Sequence, residues 1–276
     1  MLDGPNVTNL AILFPGQGSH EPGMDADLRD DPRFVRALDL LGFDPFARIA
    51  DGTRFQQPAL LIAGVIAWER SGVAAPVAAA GHSLGEYAAL VAADAMDFDD
   101  AVQLVALRGD AMARAGDAAP GGMVAVLGED EAAVRAAAHE HGLTVANDNA
   151  PGQLVLSGAV EAIEQAEVVA RDETGARARR LPVSGAFHSP LMGPAAARLA
   201  DALGRVPIGT PLFPVYANGS AAPFTDVRRE LSENLLGPVR WRETLLALRA
   251  AGVERFVEHG PGAVLTGLVK RTLAAA

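Results

Sequence analysis

Apolar residues come in short blocks along this chain, and their spacing alternates between the two periods that a mixed α/β protein needs. Leu10 to Phe14 and Pro76 to Ala80 are brief apolar runs that predict buried strands. Leu84 to Ala93, rich in helix formers, predicts a helix directly after the second of them. The stretch from Glu21 to Thr53 is polar, with Asp and Pro clusters around one short helix near Arg33 to Leu41. Gln56 to Arg70 carries Leu60, Leu61, Val65, Ile66 and Trp68 at helical spacing and ends at Ser71-Gly72, which predicts a helix packed beside the one at Leu84. Asp99 to Ala115 predicts a further helix with Val102, Val105, Ala106 and Met112 on one face. Arg108 falls in the same stretch, where an arginine ordinarily snorkels to the surface unless its neighbourhood decides otherwise.

From Gly121 to Leu181 the rhythm changes. Met123 to Leu127 predicts a strand, Glu129 to His141 a helix, Leu143 to Ala146 and Leu154 to Ser157 two strands, Val160 to Arg171 a helix and Ala176 to Leu181 a last strand. That β-α-β-β-α-β order is the split unit of a ferredoxin-like domain. The expected organisation is therefore a large α/β domain, residues 1–117 and 183–276, with a small ferredoxin-like domain inserted at 118–182. After the insertion a helix is expected from about Leu191 to Leu203, a strand at Phe213 to Tyr216, and helices at Asp226 to Leu236 and Arg240 to Ala251. A strand at Glu254 to Glu258 and a final helix at Val264 to Leu273 complete the chain.

Composition narrows the class. Half of the 276 residues are hydrophobic, enough to bury a large core. A net charge of −11 argues against nucleic acid as a partner, since phosphate binding needs a concentrated basic face. No run approaches the roughly 18 apolar residues of a membrane span, and Met1 to Leu10 lacks the order of a signal peptide, so a cytoplasmic address and no membrane partner are expected. The absence of cysteine removes disulfides, thiolate catalysis and Cys-based zinc sites together, which leaves oxygen or nitrogen as any nucleophile.

Ser83 is where chemistry fits. It stands in Gly81-His82-Ser83-Leu84-Gly85-Glu86-Tyr87, between a predicted strand and a predicted helix, and glycines two residues to either side permit a sharp corner. A serine on such a corner is exposed, and the free N–H groups of the following helical turn point at whatever it attacks. Pro15-Gly16-Gln17-Gly18-Ser19-His20 is a second Gly-rich loop, able to bring backbone N–H groups close to a ligand or to serve as an ordinary turn. His188, in the loop Ser184 to Pro190, supplies a single base candidate, although a lone histidine beside Phe187 is more often structural. Serine, histidine and Gly-rich backbone together suit acyl transfer.

With those pieces in view, the chain resembles the malonyl-CoA:acyl carrier protein transacylase family of fatty-acid and polyketide synthesis. The stretches that carry the resemblance are Phe14-Pro-Gly-Gln-Gly-Ser19, Gln57-Pro-Ala-Leu60, Gly81 to Tyr87, Arg108-Gly109, Asn149-Ala-Pro-Gly-Gln153, His188 and Gly260-Pro-Gly-Ala-Val-Leu-Thr-Gly-Leu268. The resemblance implies an α/β-hydrolase-like core with a parallel sheet and a ferredoxin-like small domain. It implies that Ser83 is acylated, that His188 is its base, and that the backbone N–H groups of Gln17 and Leu84 form the oxyanion hole. It implies that Arg108 binds the substrate carboxylate, that the backbone carbonyl of Asn234 orients the histidine, and that Met112 and Phe187 shape the acyl pocket. Phe187 resembles the residue of malonyl-selective relatives, where bulk leaves little room for an α-methyl branch. Malonyl-CoA and an acyl carrier protein are the implied partners, a monomer is expected, and no cofactor or metal is implied.

The chain departs from the family between Ser19 and Gln57, which is shorter than usual, in stopping soon after Lys270-Arg271, and in having His20 where many relatives have glutamine. Competing readings are a serine esterase or thioesterase, an acyltransferase of malonate decarboxylation, and a non-catalytic carrier-docking homologue. Because carriers of this pathway are acidic and so is this chain, docking calls for local positive residues, with Arg177, Arg179, Arg180, Lys270 and Arg271 as candidates.

Overall fold

The computed structural model describes residues 9–276, so the part of the signal-peptide expectation that falls on 1–8 lies outside the described residues. The chain runs through β1 (Leu10–Phe14), α1 (Pro32–Leu41), a 3₁₀ stretch at Phe46–Asp51 and α2 (Thr53–Arg70) to β2 (Ala78–Gly81), then into α3 (Gly85–Ala92) and α4 (Phe98–Ala118). Next come β3 (Gly121–Leu127), α5 (Glu131–Glu140), β4 (Thr144–Ala150), β5 (Gln153–Ala159), α6 (Val160–Thr174) and β6 (Arg177–Arg180). The remainder is a 3₁₀ turn at Pro190–Met192, α7 (Gly193–Leu203), β7 (Val215–Ala217), β8 (Ala222–Pro223), α8 (Val227–Glu233), α9 (Trp241–Ala250), β9 (Arg255–Glu258) and α10 (Val264–Ala274).

One sheet has the order β8-β7-β2-β1-β9. β1 pairs in parallel with β2, Ala11 opposite Ala78 through Phe14 opposite Gly81, and with β9 on its other side. β7 pairs in parallel with β2, and the two-residue β8 closes that edge antiparallel. Alternation along β1 sends Ile12 and Phe14 into a core with α2, α3, α4 and α7. Ala11 and Leu13 enter a second core with Trp241, Leu245 and Leu248 of α9 and with Leu265 and Leu268 of α10. Burial on both faces is the usual state of a parallel sheet, and it explains why β1 reads as a continuous apolar run. β2 is Ala-Ala-Ala-Gly, small enough for helices to close tightly on both sides.

The second sheet is antiparallel in the order β4-β5-β3-β6 and buries its own cluster, including Val124, Val134, Leu156 and Ile163, beneath α5 and α6. The free edge of β4 turns to the first unit: the Asp148 N–H donates to Val239 O at 2.9 Å, and the Val239 N–H to Ala146 O at 2.8 Å. Arg242 of α9 pairs with Glu131 and Asp148, both at 2.7 Å. These contacts join the antiparallel sheet to Val239 and α9, which pack on the parallel sheet.

Several boundaries differ from the sequence reading, each for a local reason. α2 starts at Thr53 rather than Gln56 and carries Pro58 in its second turn, where the missing N–H forfeits one intrahelical hydrogen bond. The helix expected from Leu191 is a 3₁₀ turn followed by α7, with Pro194 in the first turn of α7. β4 continues to Ala150, not Ala146, because polar Asn147, Asp148 and Asn149 are buried against partners in the larger unit. Among the described residues no helix is long and apolar enough to cross a membrane.

Candidate active site

Backbone approach, before any side chain, forces the corner at Ser83. A Cβ on Gly81 would lie 1.9 Å from the Gly85 carbonyl carbon, and one on Gly85 would lie 2.2 Å from Phe14 O. Neither position can carry a side chain while β1, β2 and α3 keep their places. Ser83 itself has φ 54°, a left-handed conformation that costs a non-glycine residue about 1 kcal/mol or more and persists only where its surroundings impose it. The Asn218 side chain spans the corner: its Oδ1 accepts the Ser83 backbone N–H at 2.6 Å, and its Nδ2 donates to Gly81 O at 2.7 Å.

His188 arrives from the loop after β6, also with positive φ, 55°. Ser189 braces that loop by donating to Ala186 O at 2.6 Å. The His188 Nε2 lies 2.8 Å from Ser83 Oγ. Its Nδ1 faces two backbone carbonyls, Asn234 O at 2.8 Å and Gly237 O at 3.2 Å. Both are acceptors only, so the ring proton sits on Nδ1 and Nε2 is left as the acceptor for the serine proton. Burial, and after it the charge of Arg108, pushes the imidazole down to about 3, so the ring is neutral in the ordinary pH range.

Arg108, on α4, is not the surface residue that helix position alone would give: it is 1% exposed. Its Nη2 donates to Ser83 Oγ at 2.9 Å and its Nη1 to Gln57 Oε1 at 2.5 Å. Gln57 is held in turn, its Nε2 donating to Thr53 Oγ1 at 2.7 Å, and Thr53 Oγ1 donates to Gln17 Oε1 at 2.8 Å. No described carboxylate makes an ion pair with this guanidinium, and burial lowers its pKa against the opposing influence of Tyr87 and Glu86. A buried cation without a counter-ion is a ready receptor for an anionic group.

The Gly-rich loop after β1 lies directly against the corner, since a Cβ on Gly16 would come within 2.5 Å of His82 O. The backbone N–H groups of Gln17 and Leu84 donate to no described protein acceptor. Met112 and Phe187 line the same cavity, about 160 Å³, as Gln17, Ser83 and His188. His82 and His20 line it too, and His82 is tied to the smaller unit by its Nε2, 2.8 Å from Asn149 Oδ1. The structure thus brings together Ser83, His188, Arg108, Asn234, Gln17, Leu84, Met112 and Phe187. Sequence reasoning assigned no role to Gln57, Asn218, Gly237 or Glu86. Gln57, Glu86 and Gly237 lay in stretches that the family resemblance singled out, Gly237 in the one around Asn234, whereas nothing local distinguishes Asn218.

Residues 47–276 match the family model described as an acyl transferase domain. The chain is 40% identical over 287 residues to the malonyl CoA-acyl carrier protein transacylase of Escherichia coli K12, covering 96% of this chain and 93% of that one. A crystal structure of an acyl carrier protein S-malonyltransferase from Vibrio cholerae superposes with a TM-score of 0.89 at 40% identity, covering 97% of this chain and 94% of the other. The structure of a malonyl-transacylase in complex with a type II PKS acyl-carrier protein gives a TM-score of 0.90 at 39% identity over 97% and 94% of the two chains. This chain therefore belongs to the acyl transferase family, within its malonyl CoA-acyl carrier protein transacylases.

Proposed function

We infer that this protein transfers a malonyl group from malonyl-CoA to the phosphopantetheine thiol of an acyl carrier protein, in the cytoplasm, for fatty-acid or polyketide synthesis. Ser83 Oγ attacks the thioester carbonyl while His188 Nε2 takes its proton. The oxygen that becomes negative is received by the N–H groups of Gln17 and Leu84. Collapse breaks the C–S bond, and the proton on His188 goes to the departing CoA sulfur. In the second half the carrier thiol gives its proton to His188, its sulfur attacks the malonyl ester, and Ser83 Oγ leaves with that proton. Arg108 holds the free carboxylate through both halves, and Met112 and Phe187 bound the acyl group. We assign the chemistry to a large unit of residues 1–117 and 183–276, with 118–182 as a smaller unit that closes over the site.

The observation that carries this reading is one oxygen, Ser83 Oγ, held 2.8 Å from a neutral base and 2.9 Å from a buried cation on a strained corner. It is tested by intact-mass spectrometry after mixing with malonyl-CoA alone. A malonyl adduct that maps to Ser83 and is discharged by carrier supports the double displacement. No adduct, or one on another serine, overturns it, and release of free malonate faster than loading of any carrier would make the protein a hydrolase. His188→Ala is expected to slow acylation by about 10² to 10⁴, and an unchanged rate would make the histidine structural.

A further inference from the structure

Glu86, the second residue of α3, is 1% exposed and makes no ion pair within the described residues. A buried carboxylate in that state is costly, and an apolar side chain of similar size would ordinarily serve packing better. Each of its oxygens has a definite partner. Oε1 accepts the Asn218 backbone N–H at 2.7 Å, and Oε2 accepts from Asn234 Nδ2. One residue further out, the Asn218 side chain holds the Ser83 N–H and Gly81 O, while the Asn234 carbonyl holds His188 Nδ1. Segments 132 and 148 residues away in sequence from Glu86 thus meet at this carboxylate. From it, two paths of equal length lead to the backbone of the nucleophile and to the ring of the base.

We propose that Glu86 is a positioning residue for the transfer reaction: it fixes Ser83 through Asn218 and His188 through Asn234, so that one buried carboxylate sets the geometry of both partners. The proposal rests on the reading of Ser83 and His188 as nucleophile and base. In this site no acidic side chain touches the histidine, and Glu86 occupies the next position out, where it orders the carbonyl that does. It touches neither substrate nor reacting atoms. The charged and titratable groups around it are Arg108 on α4, Tyr87 beside it on α3 and Glu230 on α8, with Arg108 and His82 also acting on His188. Burial pushes the Glu86 carboxyl up to about 8, against the two N–H donors and Arg108, which favour its charged form.

The Asn234 Oδ1 is buried without a partner. A glutamine at position 86 can therefore keep both paths, its oxygen accepting from Asn218 and its amide donating to Asn234 after that side chain turns over. Shape and hydrogen bonding, not charge, are the proposed essentials.

The test is single-turnover acylation of the intact protein by malonyl-CoA, followed by mass on Ser83, in wild type, Glu86→Gln, Glu86→Ala, Asn218→Ala, Asn234→Ala, the double asparagine variant and that double variant combined with Glu86→Ala. Asn234→Ala keeps the carbonyl that His188 uses. Glu86→Ala is expected to lower the acylation rate by about 10², the scale of a misalignment near 1 Å, with KM for malonyl-CoA within about threefold of wild type. Glu86→Gln is expected within about tenfold of wild type in rate. Once Asn218 and Asn234 are both alanine, removal of Glu86 is expected to add less than about threefold, because residues acting in one path are not additive. A Glu86→Ala rate equal to wild type, a loss confined to KM, a glutamine no better than alanine, or additive losses would each overturn the proposal. If Glu86→Ala does not fold, the glutamine and asparagine variants decide by the same criteria. A wild type that forms no Ser83 adduct overturns the underlying reading, whereas a normal wild type with an indifferent Glu86 overturns this inference alone.

Discussion

Arg108 holds a full charge directly behind Ser83, which lines the site pocket; it is itself 1% exposed, and its two hydrogen-bond partners, Gln57 Oε1 and Ser83 Oγ, are both neutral. A malonyl carboxylate entering the same pocket gains a fixed, planar donor pair, and each charge relieves the desolvation of the other. Removing one partner of such a buried pair costs about 3 to 5 kcal/mol, so Arg108→Ala is expected to lower malonyl transfer by roughly 10² or more. Acetyl transfer should hold or rise, for two reasons. The uncharged methyl never used the contact, and the Arg108 charge is one of the influences that hold down the basicity of His188. The ratio of malonyl to acetyl turnover is the quantity to measure, and an unchanged ratio would place selectivity elsewhere. His188 also predicts a pH effect. Its pKa is pushed down from 6.5 to about 3, so between those values the unfolded chain binds the extra proton. The stability that His188 contributes is therefore fully present above pH 6.5 and is lost as pH falls toward 3. Glu86, raised from 4.5 to about 8, has the opposite sign, its contribution being lost as pH rises through that range. Subtracting the two requires a variant. His188→Gln should lower the stability at pH 6.5 relative to that at pH 4.5 by on the order of 2 kcal/mol in denaturant unfolding, at about 1.4 kcal/mol per pH unit, leaving the opposite contribution of Glu86 uncancelled. Equal differences in both proteins would mean that the ring is not held neutral.

At the scale of elements, the corner between β2 and α3 is legible because its requirement is local. Two glycines, a run of alanines before them and helix formers after them state the geometry, and the 1.9 Å and 2.2 Å approaches at Gly81 and Gly85 supply the physical reason. The β-α-β-β-α-β rhythm from Gly121 to Arg180 is legible for the same reason, each strand and helix carrying its own period. What sequence could not give is the pairing between distant elements. Asn147, Asp148 and Asn149 look like the polar end of a strand, yet they extend β4 because Val239, Arg242 and His82 receive them. Arg108 reads as a snorkelling side chain until α2 brings Gln57 beside it and α3 brings Ser83. Asn218 carries no signal in its own neighbourhood, and Gly237 none beyond its place in the family stretch around Asn234, since their roles exist only once β7 and the segment after α8 lie beside the corner. Family likeness pointed to Asn234, whose carbonyl faces His188 Nδ1, and to the backbone N–H groups of Gln17 and Leu84, where spacing and composition could not.

The whole molecule is acidic, with a net charge of −11, so encounter with an acidic carrier, as the family resemblance leads one to expect, depends on where positive charge is concentrated. The five candidate residues do not form one patch. Arg179 and Arg180, on the edge strand β6, line an open cavity of about 690 Å³ that shares Gln17 and Phe187 with the site. Arg271 instead bonds Gln153 at the start of β5, and Gln153 pairs with Leu127, which also pairs with Arg177. Arg177, Lys270 and Arg271 thus gather at the far end of the second sheet, while Arg179 and Arg180 face the approach to Ser83. Rim charges act mainly on association, so Arg179→Glu together with Arg180→Glu should raise the apparent KM for carrier by about tenfold and flatten or invert its rise with salt, because the attraction that salt screens is gone. Reversal of Lys270 and Arg271 should do less. CoA is also an anion, and the two effects separate if the malonyl-enzyme is formed first and then mixed with carrier, which isolates the second half-reaction. Arg33 and Arg36, paired with Glu69 and Asp99 on a remote face, are the controls. If reversing Arg179 and Arg180 slows discharge of the preformed acyl-enzyme no more than reversing Arg33 and Arg36, carriers approach by another face.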